Sequence, residues 1–200
     1  MPFGLHREAS NSHRNKNRLK EIFRHKKKGR LLEIGCGKGE LLKLAKKHFN
    51  VEGIDISEYA ARHIEESLGI RVDVSDIEKM ELKSNHYDVV AGFNFLEHLK
   101  NPEGVVKRIY RSLKEGGIFV GSVPNNSGLI GKLFTQVTNL FDRTHLSTHP
   151  PNYWHSSFKK AQFQTIEFFG EVNFGINYNK YVRGVGWRYV SLNLMFECIK

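Results

Sequence analysis

The run Leu31-Leu32-Glu33-Ile34-Gly35-Cys36-Gly37-Lys38-Gly39 constrains the fold of this chain more than any other segment. A short, mostly apolar stretch is closed by three alternating glycines, and a periodic stretch from Lys38 to His48 follows. The pattern predicts a strand buried on both faces that turns sharply into a helix. Glycine suits such a turn because, lacking a Cβ, it enters positive-φ backbone freely and lets a ligand approach the bare main chain. The N–H groups that open a helix carry partial positive charge, so an anionic or carboxylate-bearing ligand is expected against the loop.

Beyond the glycines, short apolar runs alternate with longer periodic stretches, the rhythm of a parallel sheet layered with helices. Strands are expected at Leu31–Ile34, Val51–Ile54, Ile70–Val72, Tyr87–Gly92, Gly117–Val123 and Phe163–Phe169, and a seventh is built on Val190, Leu192, Leu194, Phe196 and Cys198 with period-two alternation. Helices are expected over about 12–27, over Glu58–Leu68 between a Ser57 cap and Gly69, over Pro102–Leu113, and from Pro151 to about Ala161. Gly116-Gly117 reads as a turn between helix and strand. Two irregular stretches remain, Asn125–His149 and Glu171–Arg188. The first leaves the carboxyl end of strand five, where open α/β sheets bind ligands, and so is placed to roof a site.

The 200 residues, 40% hydrophobic, are enough for one core without staples, so a single domain is expected, with a basic helical segment at 1–29, a ligand-binding core at 30–124 and a substrate side at 125–200. The net charge of +10 is concentrated: residues 1–30 carry ten Lys or Arg against Glu8 and Glu21. Arg18, Leu19, Ile22 and Phe23 recur at helical spacing, which makes this segment an amphipathic helix docked by one stripe with its cations in water. Such a segment can attract RNA phosphates, making RNA a candidate partner. Cys36 and Cys198 have neither metal-type nor disulfide-type spacing, and no apolar run approaches the roughly 20 residues of a bilayer span. A cytoplasmic protein without membrane insertion, monomer or homodimer, is the expectation.

Two carboxylates narrow the ligand. Glu33 ends an otherwise apolar strand, where a buried carboxylate is costly unless a cation or hydrogen-bond donors meet it. Asp55 ends the second strand, twenty residues beyond Gly35, where an acid can accept both hydroxyls of a ribose. A dinucleotide fingerprint would need glycine at position 40, but the chain has Glu40 there. The glycine loop and Asp55 taken alone would still permit a hydride-transferring oxidoreductase.

LLEIGCGKGELL, VEGIDIS, YDVVAGFNFLEHLKNP and LKEGGIFVGSVPN together resemble the class I S-adenosylmethionine-dependent methyltransferases, over about Arg30–Asn126. The pattern is nearest to ubiquinone-biosynthesis O-methyltransferase-like enzymes acting on small molecules. The resemblance implies a Rossmann-like α/β fold: a seven-stranded, mostly parallel sheet with helices on both faces and an antiparallel last strand. It implies S-adenosyl-L-methionine as cofactor and S-adenosyl-L-homocysteine as product. Gly35, Gly37 and Gly39 would cradle the methionine and ribose portion, Glu33 would hold the amino group and Asp55 the ribose hydroxyls. Ile56 would pack on adenine, Asp76 with Ile77 would meet its amino group (Asp73 being the competing assignment), and Phe93 would line the cofactor. Arg18, or Arg14 one turn earlier, would meet the carboxylate.

Methyl transfer from a sulfonium is favoured by its leaving group, so positioning supplies much of the rate and a base is needed only for reluctant nucleophiles. His98, after strand four, and His145, in the loop after strand five, are the candidate bases, since histidine titrates near neutrality. Some relatives bind a divalent metal through Glu-x-x-Glu-His. Here the segment is Asn94-Phe95-Leu96-Glu97-His98, and without the first glutamate no metal is expected. The acceptor is expected to be a small molecule methylated on oxygen or nitrogen. An RNA or protein acceptor, or a binding module without chemistry, is the alternative.

Overall fold

The computed structural model describes residues 3–125, 127, 146–174, 178–183, 191 and 193–200, with backbone alone at 3–11, 172–174 and 178–180. His145, Val190 and Leu192 lie outside the described residues. The elements run α1 (Phe3–His25), β1 (Gly29–Ile34), α2 (Glu40–Ala45), β2 (Phe49–Asp55), α3 (Glu58–Leu68), β3 (Val72–Val74), β4 (Tyr87–Phe93), a 3-10 turn (Leu96–His98), α4 (Pro102–Ser112), β5 (Leu113–Pro124), α5 (Pro151–Lys160), β6 (Thr165–Phe174), β7 (Tyr178–Val182) and β8 (Asn193–Ile199).

The strands form one sheet in the order β3-β2-β1-β4-β5-β8-β6-β7. β1 pairs in parallel with β2 and β4, β2 with β3, and β4 with β5. β8 slots antiparallel between β5 and β6, as expected of the last strand. The helices form a layer on each face. Leu19 and Ile22 of α1, Leu41 and Leu42 of α2 and Ile64 of α3 pack with Leu31, Val89 and Val120. Val106 and Ile109 of α4 and Trp154 and Phe158 of α5 pack with Leu32, Val90 and Phe119 on the other face.

The described residues hold eight strands, one more than expected, because Glu171–Arg188 is not wholly irregular. Glu171–Phe174 extends β6, and Tyr178–Val182 pairs antiparallel with it from Gly170↔Val182 to Phe174↔Tyr178. Asn and Gly depress strand propensity there, but cross-strand hydrogen bonding overrides it. Gly116 likewise sits inside β5: Tyr87 pairs Leu113 but Val89 pairs Ile118, and the surplus residues bulge out around Gly116 at φ 66°.

α1 starts at Phe3, earlier than its apolar stripe suggests, and Leu19 and Ile22 are the buried residues of that stripe. Phe23 packs edge-on against His48 and stacks on Phe49, which seats α1 beside α2. The basic charge is therefore less local in space than along the chain. Lys16 and Lys20 on α1 are exposed beside the neighbouring helix, where Lys43 on α2 and Lys47 just past it are exposed too.

Candidate cofactor site

The glycine turn is built as its composition requires. Gly35, Gly37 and Gly39 have φ of 70°, 51° and 72°, left-handed backbone in which side chains with a Cβ are strained. The Gly35 N–H donates to the Ile54 carbonyl (2.8 Å) and that of Gly39 to Cys36 (2.8 Å), folding the loop across the carboxyl ends of β1 and β2. Gly39 also lets α3 approach, for a Cβ there would lie 2.8 Å from Cγ1 of Ile64.

Asp55 fastens this turn. Its Oδ2 accepts the Gly37 N–H (2.8 Å) and its Oδ1 the Ser57 N–H (2.9 Å), while Ser57 Oγ caps α3 by accepting from the Ala60 N–H (3.2 Å). One carboxylate thus ties the loop after β1 to the start of α3. An ionised carboxylate has about four lone-pair directions, so two remain for further donors.

Two cavities flank the turn and share Gly35. The first, about 470 Å³, is lined by Arg14, Asn15, Arg18, Glu33, Cys36 and Phe93, together with Lys38, Glu40 and Leu41. Glu33 is 6% exposed; it accepts the Leu42 backbone N–H, while Oε2 is buried without a hydrogen-bond partner among the described residues. Burial pushes its carboxyl up to about 8, only partly offset by the Arg18 charge and the Leu42 N–H. The Arg18 guanidinium lies 4.0 Å over the Phe93 ring and donates to Oδ1 of Asn15 (3.1 Å). Arg14 is held differently, with Nε 3.5 Å from Oε1 of the fully buried Glu171. Burial beside Glu33 and Asp55 raises the Cys36 thiol, which stays protonated.

The second cavity, about 340 Å³, is lined by Ile54, Asp55, Ile56, Asp76 and Ile77 from one side and by Asn94, Phe95, His98 and Leu99 from the other. Ile56 is 76% exposed on its wall, an apolar side chain presented to a flat partner. Asp76 Oδ1 accepts the Glu78 N–H (3.0 Å) and its Oδ2 pairs with Lys79 (3.2 Å), which hold the carboxyl below its usual range. Asp73, the competing assignment, instead pairs with Arg71 (2.9 Å) and is not among the lining residues.

The first cavity accordingly offers a buried carboxyl, which an incoming ammonium would ionise, beside the half-buried Arg18 cation, a set that complements an amino-acid zwitterion. The second offers an apolar slot with acceptors at its ends, the complement of a nucleoside. A methionine moiety joined to adenosine presents both groups in one molecule, and the orphaned Glu33 oxygen fits its ammonium.

A methyltransferase-domain family model matches residues 5–167. The chain belongs to that family. The chain is 37% identical over 106 residues to the ubiquinone biosynthesis O-methyltransferase of Pseudomonas aeruginosa, covering 48% of this chain and 45% of the relative. The chain spans about half the length of the curated relatives it matches, 57% and 45% for two of them. Its fold resembles the crystal structure of a SAM-dependent methyltransferase from Archaeoglobus fulgidus, 21% identical with a TM-score of 0.73 over 92% of each chain. It also resembles phosphoethanolamine N-methyltransferase 2 of Haemonchus contortus in complex with S-adenosyl-L-methionine, 25% identical with a TM-score of 0.63 over 78% of this chain and 37% of that one.

The structure gathers Arg18, Glu33, Gly35 and Phe93 at one cavity and Asp55, Ile56, Asp76, Ile77 and His98 at the other, with Gly37 and Gly39 in the turn between. His98, one of the two candidate bases, thus shares the cavity of the adenine-side residues rather than that of Arg18. No group of three or more His, Cys, Asp or Glu that could hold a metal occurs among the described residues. Asn94, in the place of the missing glutamate, has φ 54° and accepts the Ser122 hydroxyl through Oδ1. Asparagine enters that left-handed region far more readily than glutamate. Asn15, Glu171 and Asn94 escape sequence reasoning because their partners are set by the fold. The left-handed position of Asn94, six residues past Asp88, carries no local signal.

Proposed function

We propose that residues 1–200 act as one methyltransferase domain that methylates an oxygen or nitrogen of a small-molecule acceptor, mainly by positioning. The observation carrying the cofactor half of this reading is the buried Glu33 oxygen, without a hydrogen-bond partner among the described residues, in the same cavity as the Arg18 guanidinium. In this reading Arg18 takes the carboxylate and Glu33 the ammonium. Gly35, Gly37 and Gly39 admit the chain between them, Asp55 takes the ribose hydroxyls, and Ile56, Asp76 and Ile77 receive adenine along the second cavity. When bound, S-adenosylmethionine supplies a methyl group on a cationic sulfur. Phe93 and Arg18 exclude water from one side of the glycine turn.

The small-molecule acceptor is supported by similarity to the ubiquinone-biosynthesis O-methyltransferases. His98, half-buried at the turn after β4, is the base in this reading, with His145 as its alternative. Cofactor consumption against pooled phenols, catechols and amines tests the proposal, and a hydroxyl acceptor is the expected hit. His98→Gln is then expected to lower kcat about 10²-fold with the S-adenosylhomocysteine Kd within twofold of wild type. Unchanged kcat would remove His98 from the chemistry. Failure of every small acceptor while the cofactor binds would sink the acceptor class.

One observation favours a second reading, in which RNA docks on the α1–α2 face. Lys16, Lys20, Lys43 and Lys47 are exposed on adjacent helices and form no ion pair among the described residues. Among the described residues the exposed large hydrophobic side chains are Ile56, Tyr59, Val74 and Leu146, none of them on α1 or α2, so the affinity would come from backbone phosphates and be steeply salt-dependent. Replacing Lys43 and Lys47 by Gln is expected to flatten the log–log salt slope for a labelled RNA hairpin by about 1.5. A slope equal to wild type disposes of this reading.

A further inference from the structure

One wall of the second cavity belongs to no strand. β3 ends at Val74, and residues 75–86 carry neither strand nor α-helix before β4 begins. Asp76, Ile77 and Glu78 line the cavity from this stretch, so no ladder of sheet hydrogen bonds fixes them. What holds them is α4. Arg108, half-buried on that helix, donates from Nη2 to the carbonyls of Ile77 and Glu78, at 3.0 Å each. In the other direction the Glu78 carboxylate reaches the start of α4, with Oε2 accepting the Lys100 N–H (3.1 Å) and Oε1 the Asn101 N–H (2.6 Å).

The peptide between Ile77 and Glu78 is thereby gripped on both sides. Its carbonyl oxygen accepts from Arg108, and its N–H donates to Oδ1 of Asp76 at 3.0 Å. A peptide is planar, so fixing the oxygen fixes the direction of the N–H. That N–H in turn orients the Asp76 carboxylate. Lys79 pairs with the other oxygen at 3.2 Å, but its side chain is 83% exposed and makes a loose anchor.

We infer that Arg108 is a positioning residue for the cofactor's nucleobase: through the Ile77–Glu78 peptide it aims the Asp76 carboxylate at the exocyclic amino group of adenine. That role rests on the assignment of Asp76 and Ile77 to adenine proposed above and adds what enforces it. Each carboxylate oxygen has about two lone-pair directions, so one on each remains for the amino group. A base with a carbonyl in that place sets its own oxygen against the carboxylate. Held in place, Asp76 selects adenine; free to turn, it would swing away from the carbonyl and tolerate either base.

The test compares binding of S-adenosylhomocysteine with that of S-inosylhomocysteine, which carries a carbonyl where adenine has its amino group. Wild type is expected to prefer the adenosine ligand at least about 50-fold, because the site is built to accept a hydrogen bond there. Arg108→Met keeps the aliphatic stem and removes both donated bonds, and is expected to cut that preference at least about fivefold. Both Kd values are read on one preparation, so a smaller folded fraction weakens the two ligands alike and leaves their ratio unchanged. Asp76→Asn is expected to cut the preference at least as far. Adding Arg108→Met to Asp76→Asn should then change the ratio by less than about twofold, since the two residues act through one peptide. A smaller fall for Arg108→Met, or two effects that simply multiply, overturns the inference and leaves Arg108 as a strut of the loop. If Asp76→Asn keeps the wild-type preference, the assignment of Asp76 to adenine fails and the inference with it. A loss confined to Asp76→Asn overturns the inference while that assignment stands.

Discussion

Glu33→Gln is expected to weaken S-adenosylhomocysteine binding about 100-fold while stabilising the ligand-free protein at pH 8 and above. A charge-assisted bond in a desolvated cavity is worth roughly 2 to 3 kcal/mol, which converts to that loss of affinity. The stability gain follows from the carboxyl being pushed up to about 8 by burial against an ordinary value of 4.5. A folded-state value above the unfolded one stabilises fully below the unfolded value and is lost as pH rises through the folded value. The wild-type cavity therefore costs stability progressively between about pH 4.5 and 8, and the glutamine, which does not ionise, removes that slope. Thermal melts of the two proteins should coincide near pH 4 and separate by a few degrees at pH 8.5.

The same carboxyl links cofactor binding to pH. Below about 8 the empty cavity holds Glu33 protonated, faced by Arg18, the Leu42 N–H and Asp55. An incoming ammonium favours the carboxylate, so binding expels a proton and the Kd should rise up to tenfold per unit as pH falls from 8 towards 6. Above 8 the cofactor's own α-amino group loses its proton, which places the tightest binding near pH 8. Calorimetry in buffers of different ionisation enthalpy reads the released proton directly. A wild-type Kd that stays flat from pH 6 to 8 contradicts the role given to Glu33.

The parts of the site that can be read from sequence are those whose meaning is local. Gly35, Gly37 and Gly39 announce a left-handed turn because few other residues tolerate one, and Glu33 stands out as an acid inside an apolar strand. Ser57 and Gly69 bracket α3 as expected, since caps act within one turn of the backbone. Glu171 and Asn15 carry no such mark, for an acid in a segment rich in Asn and Gly looks solvated until the sheet closes over it. The β6–β7 hairpin is hidden for the same reason. Its stability lies in pairing between strands, which propensity along one strand does not record. Arg14 and Arg18 are interchangeable in sequence, and their contacts tell them apart: Glu171 lies beside Arg14, whereas Phe93 and Asn15 hold Arg18.

Asp55→Ala is expected to impair both the fold of the site and the binding of every adenosine-bearing ligand. The carboxylate accepts from Gly37 and from Ser57, so its loss strands two backbone donors and unfastens the glycine turn from α3. Each bond to a charged acceptor contributes about 1.5 to 3 kcal/mol when well buried. Because this carboxylate is partly exposed, a combined loss of about 2 kcal/mol is expected, lowering the melting temperature by roughly 4 to 8 °C. Asp55→Asn separates the two roles: the amide keeps one acceptor for one of the two N–H groups, so the melting temperature should fall about half as far. The amide also offers N–H where ribose hydroxyls need an acceptor, so ligand affinity should drop nearly as much as with alanine, on the order of 100-fold. Methylthioadenosine provides the decisive comparison, since it keeps the ribose but lacks the ammonium. Asp55 variants should lose it together with S-adenosylhomocysteine, whereas Glu33→Gln should lose only the latter. If Asp55→Ala binds methylthioadenosine within threefold of wild type, Asp55 is a fastener of the turn and nothing more, and the ribose is held elsewhere.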